Sequence, residues 1–283
     1  MQPLRVLKRF AARLLPEPVK AAVRGRRYGY RPPAVSLGYS ARFDASGQVR
    51  LEIHRLARLT LSRPAWEAFR FHLESNGESA EELYAFVQHA GAADGVLFDV
   101  GANHGIFTLA YCAARPGNRA IAFDAAAEPL ADLRRALAQN GLADRAEIRQ
   151  AWLSSASGTV HGSIDESGFF NTTREDRSRE VVKTTIDAFV ERTGIRPSIV
   201  KIDVDGEEIE VIAGAARTLR EIRPTLFVEL HHDLLEARGE RPGRFVGLLV
   251  DAGYRFETLP GKPLAPRAIT NTPAALLRFI ARP

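Results

Sequence analysis

Three stretches of this chain combine residue types and spacings suited to chemistry. In "SIVKIDVDGEEIEV", residues 198–211, an apolar run ends at Asp203, and Asp205, Gly206, Glu207 and Glu208 follow at once. In "LFDVGANHGIF" a strand-like run passes through Asp99 into Gly101-Ala102-Asn103-His104-Gly105 and then into a helical pattern. In "TLFVELHHD" another apolar run ends at Glu229, with His231 and His232 just beyond. Carboxylates after Asp203 fit three chemistries. A D-x-D-G segment is a phosphoryl-transfer signature. A strand ending in an acid is where open α/β sheets bind ligands, outside the carboxyl ends of their strands. Acids at a helix start also complement its macrodipole, and that role suits Asp205 and Glu207.

The spacing of the glycine loop narrows the choice. A dinucleotide fingerprint needs G-x-G-x-x-G to seat a pyrophosphate on a helix N-terminus. Here the spacing is G-x-x-x-G, and Asn103 stands where the middle glycine would be, which counts against NAD. About twenty residues on, "RAIAFD" ends in Phe123-Asp124, where an acid accepts ribose hydroxyls. A loop, a ribose acid and no pyrophosphate cradle point to a nucleoside cofactor without phosphate, and S-adenosylmethionine fits. The expected cofactor residues are Asp99, Gly101, Ala102, Asn103, Gly105, Phe123 and Asp124. Gly101 is expected to let a ligand approach the backbone, and Asp99 to orient the loop or meet a ligand ammonium. His104 is expected to be a loop contact.

These motifs need elements to carry them. "GVLFDV", "RAIAFD", "AEIRQAWL", "SIVKID" and "PTLFVEL" read as strands, alternating with helical patterns over 104–115, 128–141, 186–192 and about 207–219. That alternation predicts βαβ units and a mainly parallel sheet. A helix over 243–252 and strands in "YRFETL" and "AALLRFIA" follow. Residues 154–183 are polar and turn-rich and predict a loop or hairpin over one end of the sheet. Further upstream, "QVRLEI" reads as a strand, "RPAWEAFRF" as a short helix, and Ser79 with Glu82 as a capping box for a helix through His89.

The blocks "FDVGANHGIFTLAY", "AIAFDA", "TTIDAF", "IVKIDVDGEEIEVIAGA" and "TLFVELH", in this order and spacing over residues 76–281, resemble the FkbM-type S-adenosylmethionine-dependent methyltransferases. Asp124 and Ala125 replace the family's Glu-Pro, and Asp205 replaces a Glu. The resemblance implies a Rossmann-like class I methyltransferase fold, with a mainly parallel seven-stranded sheet and helices on both faces. It also implies O-methylation of sugars or other hydroxylated small molecules. The phosphatase reading weakens, because Glu207 follows the glycine and three βα units precede the motif. Asp203, Glu229 and His231 are then the expected catalytic residues at the acceptor side, with His231 as general base and His232 as its alternative. Mg²⁺ on the carboxylates is a second mechanism; the metal-free one is favoured. A non-catalytic accessory protein on the same fold at a membrane surface is the alternative from a different class, and an NAD-dependent oxidoreductase is a weaker third reading.

The bulk numbers bound the rest. Of 283 residues, 45% are hydrophobic, enough for a sizeable core. A single cysteine, Cys112, excludes an intrachain disulfide and a thiolate zinc cluster and suits a reducing compartment. No apolar run reaches the about 18 residues of a membrane span, and no continuous apolar signal-peptide core is present, so a cytoplasmic location is expected. Residues 1–31 hold nine Lys/Arg and one Glu, net +8, while the remaining 30 basic and 33 acidic residues carry −3. The positive charge therefore belongs to an arm and not to a nucleic-acid-binding face. Leu4, Leu7, Ala11 and Leu14 make that arm amphipathic, which suits peripheral contact with an anionic membrane. The expected divisions are a basic arm over 1–34, an extension packing on the core over 35–90, and the cofactor-binding domain over 91–283.

Overall fold

The structure is a computed structural model, and it describes residues 39–283 except 46, 54–56, 75–76, 165–169 and 173–178. The arm over 1–34 and residues 165–169 and 173–178 of the 154–183 segment lie outside the described residues.

An antiparallel meander comes first, made of β1 (Tyr39–Phe43), β2 (Val49–Ile53) and β3 (Ala57–Leu61). Its strict alternation buries Val49, Leu51, Ile53, Ala57, Leu59 and Leu61 on one face. Two helices follow, α1 (Arg63–Glu74) and α2 (Gly77–Ala92). The capping box at Ser79 and Glu82 does not form. The helix begins two residues before Ser79, and Glu82 turns inward, 1% exposed.

The main domain alternates strand and helix as the sequence periodicity requires. It comprises β4 (Val96–Val100), α3 (Ile106–Ala114), β5 (Arg119–Asp124), α4 (Ala127–Gln139) and β6 (Ala146–Gln150). After a small four-stranded mixed insert come α5 (Ile186–Thr193), β11 (Ile199–Ile202), α6 (Glu208–Ala213), α7 (Ala216–Glu221) and β12 (Thr225–His231). The insert is built from β7 (Trp152–Leu153), β8 (Gly158–Ile164), β9 (Phe170–Asn171) and β10 (Arg179–Thr184). The chain closes with α8 (His232–Ala237), α9 (Pro242–Asp251), β13 (Arg255–Glu257), β14 (Pro263–Leu264), α10 (Pro266–Thr270) and β15 (Leu276–Arg282). The single helix expected over about 207–219 is two, parted at Gly214-Ala215, where a side chain at Gly214 would meet the Ser154 carbonyl.

The sheet order is β14-β13-β15-β12-β11-β4-β5-β6. Strands β6, β5, β4, β11 and β12 run parallel, and β15 inserts antiparallel between β12 and β13. The sheet has eight strands where seven were expected, because a turn after β13 lets two residues of β14 pair back on its edge. Chain order reverses between β4 and β11, which makes that junction the topological switch point where such sheets bind ligands.

One apolar core joins the meander, α2, α3 and α4 to one sheet face; Leu97, Ile199 and Phe227 contribute from the strands. The other core packs Phe98, Val100, Val200, Ile202 and Val228 under α5, α6 and α9. The buried apolar residues described in β2, β3, α1 and α2 are thus part of the same core as that sheet face.

Candidate active site

The loop after β4 is folded by its own backbone and by Asp124. The Phe123 carbonyl accepts the N–H groups of both Gly101 and Ala102, each at 2.9 Å. One oxygen of Asp124 accepts the Asn103 N–H at 2.8 Å, and its other oxygen accepts the Ala126 N–H at 2.8 Å. These bonds hold Asn103 in the left-handed region at φ 48°, which asparagine tolerates better than most residues. Asp99 is buried and accepts both the backbone N–H (3.0 Å) and the hydroxyl (2.6 Å) of Thr108. Burial pushes its carboxyl up to about 6, and the Thr108 bonds limit the rise.

Gly101 has a different use from the one its spacing suggested. It sits at φ +82°, and a Cβ there would lie 1.8 Å from the carbonyl oxygen of Asp203. The space beside it is taken by the neighbouring strand end and not by a ligand. Gly105 likewise makes room for the Leu133 side chain on α4. Phe123 directs its ring away from the loop, into the core with Phe98 and Phe189. Only its backbone serves the loop. Ala102 is 6% exposed and joins the core below. His104 is half-buried, places Nδ1 3.3 Å from Asp132, and is lowered in pKa by burial.

The second cluster follows from strand register. Ile202 pairs with both Val100 and Val228, so Asp203, Gly101 and Glu229 stand level at adjacent strand ends. Alternation then puts Lys201 and Asp203, and Glu229 and His231, on the sheet face that α2 and α3 cover. Lys201 is fully buried, with Nζ 3.1 Å from Glu82, 3.8 Å from Asp203 and 3.9 Å from Glu229. It lies 4.8 Å from the centre of the Phe107 ring. Burial opposes its charge, but Glu82, then Asp203 and Glu229, push its pKa up to about 12. Glu229 pairs directly across to Arg278 on β15, whose Nε donates to it at 2.9 Å while a second guanidinium nitrogen donates to its other oxygen.

His231 closes the cluster. Its Nδ1 lies 2.8 Å from Glu208, which is 0% exposed and also accepts the Gly206 N–H at 3.0 Å. Its Nε2 lies 3.4 Å from Asp205, 3.7 Å from Glu229 and 3.8 Å from Asp203. Burial works against a charged ring, yet the Glu208 hydrogen bond and the carboxylates of Asp203, Glu208 and Glu229 push it up to about 10. Asp203 rises to about 8, through burial first and Glu229 second, with Lys201 and His231 pulling back.

The structure therefore brings Asp203, Glu229 and His231 together, as expected, but separates their surroundings. Asp203 keeps a quarter of its side chain exposed, whereas Glu229 is enclosed by Arg278 and Lys201. His232, the alternative base, is buried, with Nε2 2.8 Å from the Ile269 carbonyl and Nδ1 3.3 Å from that of Leu230. Asp205 does more than start a helix: at φ 49° it swings its carboxylate toward His231. Glu207 pairs with Arg238. Glu82, Glu208 and Arg278 were missed. Glu82 and Arg278 read locally as ordinary residues of an amphipathic helix and an edge-like strand, and Glu208 as one more helix-start acid.

The loop fits an adenosyl cofactor. Asp124 accepts backbone N–H groups on both oxygens, and a carboxylate's roughly four lone-pair sites leave acceptor capacity for a ribose hydroxyl. The buried side-chain oxygen of Asn103 has no donor among the described residues. Asp99 in β4, Asp124 at the end of β5, and Asp203 and Asp205 after β11 are all raised in pKa, with burial as the largest cause.

A parallel sheet with an antiparallel penultimate insertion, a glycine loop after its β4 strand and a carboxylate ending β5 define a class I methyltransferase fold. The chain belongs to the FkbM methyltransferase family: the Methyltransferase FkbM domain matches residues 99–256, more than half of its length. Among solved structures it is similar to a methyltransferase FkbM from Methylobacillus flagellatus KT, with 16% identity and TM-score 0.45, covering 79% of this chain and 56% of that one. It is also similar to an O-methyltransferase from Bacillus cereus in complex with SAH, with 12% identity, TM-score 0.42, and 77% and 87% covered. A third is a precorrin-6y C5,15-methyltransferase from Geobacter metallireducens GS-15, with 15% identity, TM-score 0.40, and 70% and 87% covered. The sequence matches no curated protein. No helix among the described residues is long and apolar enough to cross a membrane.

Proposed function

We propose that this protein transfers a methyl group from S-adenosylmethionine to a hydroxyl of a sugar, a glycan precursor or another hydroxylated small molecule. The observation that carries this reading is the contact between the two clusters, where the backbone of Asp203 fills the space beside Gly101. A cofactor on the Gly101–Gly105 loop would then lie next to Asp203, a partly exposed carboxylate of the strand-end group. S-adenosylmethionine supplies an electrophilic methyl on a sulfonium. The chain's own work is to hold the acceptor oxygen in line with it, since positioning supplies much of the rate in such displacements.

Asp203 would accept the hydroxyl's hydrogen bond and hold the proton that the acceptor oxygen gives up. His231 is ringed by carboxylates, with Nδ1 committed to Glu208, so its role shifts from base to positioning Asp203. Glu229, Lys201 and Arg278 hold that pair from behind. The +8 arm over 1–31 is assigned reversible contact with an anionic membrane, near lipid-linked or glycan-assembly substrates.

The test is calorimetry with S-adenosylmethionine and S-adenosylhomocysteine, followed by turnover on a panel of hydroxylated acceptors. Asp124→Ala is expected to weaken cofactor binding about tenfold, the loss of charge-assisted hydrogen bonds. Asp203→Asn is expected to lower turnover about 10²-fold or more with little change in cofactor affinity. A folded wild-type chain that binds neither compound refutes the reading, and an Asp203→Asn variant with full turnover removes Asp203 from the chemistry.

A further inference from the structure

We propose that Asp203, Asp205 and Nε2 of His231 form a binding site for one divalent first-row metal ion of the Mn²⁺ type. One ligand atom from each of the three residues lies within 4.8 Å of the others. The separations from Nε2, 3.4 Å to Asp205 and 3.8 Å to Asp203, need only a small contraction around an ion with bonds of about 2.0–2.2 Å.

Three further observations point to a cation there. Metal-binding histidines donate their second ring N–H to a carboxylate, which fixes the tautomer and aims the other nitrogen. Glu208 does this for His231: it is fully buried, accepts from Nδ1 at 2.8 Å, and is itself fixed by the Gly206 N–H. Its second oxygen is buried with no donor among the described residues, so the group holds acceptor capacity that the protein does not use. Asp205 adopts a left-handed backbone at φ 49° to bring its carboxylate to the same point. Finally, carboxyl groups outnumber basic ones: Glu82, Asp203, Asp205, Glu208 and Glu229 share one cluster with Lys201, His231 and Arg278.

The donor set chooses the ion. Carboxylates suit Mg²⁺ and Mn²⁺, while imidazole suits the transition ions. Two carboxylates with one imidazole favour Mn²⁺ over Mg²⁺. Asp203 and Asp205 are 25% and 48% exposed, so the ion retains open positions on the acceptor side. The binding claim stands on these residues alone. Its consequence, that the ion orients and acidifies an acceptor hydroxyl, rests on the methyl-transfer reading above.

The experiment titrates Mn²⁺ into the full chain, metal-stripped and without cofactor, by calorimetry and electron paramagnetic resonance. One ion is expected to bind, with a nitrogen hyperfine coupling that is lost in His231→Gln. Asp205→Asn is the second variant, because asparagine accepts the same left-handed backbone and the position is exposed, so folding is preserved. It is expected to weaken Mn²⁺ at least tenfold while leaving S-adenosylmethionine affinity and Tm unchanged. No Mn²⁺ binding at millimolar concentration, or binding that Asp205→Asn leaves intact, overturns the site. S-adenosylmethionine calorimetry on the same sample tests the methyl-transfer reading separately.

Discussion

Gly101→Ala distinguishes two reasons for a glycine at the head of the loop. If the missing side chain admits a ligand, alanine should cost cofactor affinity and little stability. The structure requires the opposite. An alanine Cβ would stand 1.8 Å from the Asp203 oxygen, 2.8 Å from its carbonyl carbon and 3.2 Å from Val204 Cγ1. The obstructing atoms are backbone, and the Asp203 N–H is tied to the Val100 carbonyl at 3.0 Å. Relief therefore means separating β4 from β11 at the switch point. A left-handed alanine costs about 1–2 kcal/mol, and overpacking adds about 1–3 kcal/mol, so about 2–5 kcal/mol is expected. Gly141 provides the control: it has φ +65° with nothing within 4 Å of a Cβ, so Gly141→Ala carries only the conformational cost. Urea unfolding of both variants at unchanged m-value measures the difference. It should be about 1–3 kcal/mol, with turnover falling further than cofactor affinity because the displaced residue is Asp203. Stabilities of the two variants within 0.5 kcal/mol, or a pure loss of cofactor affinity, would refute this reasoning.

Lys201→Met leaves Glu82 and Glu229 buried without their shared cation and is expected to cost about 3–5 kcal/mol, much of which Lys201→Met combined with Glu82→Leu should restore; equal denaturation midpoints for wild type and the single variant would contradict it. Asp99 has its pKa raised in the folded state, from an ordinary 3.8 to about 6, so the folded chain retains a proton that the unfolded chain has lost. Stability should then fall as pH rises from about 4 to 6, by about 3 kcal/mol for this group. Asp99→Asn keeps an acceptor for Thr108 and should flatten that fall in urea titrations at each pH. For the arm, flotation with anionic vesicles at low salt should retain the full chain and lose a version lacking residues 1–31; equal behaviour removes the membrane assignment.

Much of the fold was legible because its signals are local. Apolar runs of strand length, helical periodicity between them and Gly/Asn stops act over a few residues, so β4, α3, β5, α4, β11 and β12 appear where the patterns placed them. The position of Asp203 and Glu229 at strand ends, and of Asp124 about twenty residues after the loop, follows from the same local reading. The meander was half visible: "QVRLEI" is β2, while β1 and β3, each also five residues long, pair on either side of it. What the sequence by itself could not contain is register. Whether Asp203 stands level with Glu229 and Gly101 depends on which residues of β4, β11 and β12 pair, and a slip of one residue would turn every one of these side chains to the other face. Glu82 reaches Lys201 from a helix more than a hundred residues earlier, and Arg278 reaches Glu229 from the last strand. No spacing rule links such pairs, because they are neighbours only once β15 has inserted beside β12 and α2 has closed over the sheet. The sequence determined that acids would stand at the switch point; the tertiary structure decided which of them are clamped, which stays open, and that the space beside Gly101 belongs to Asp203.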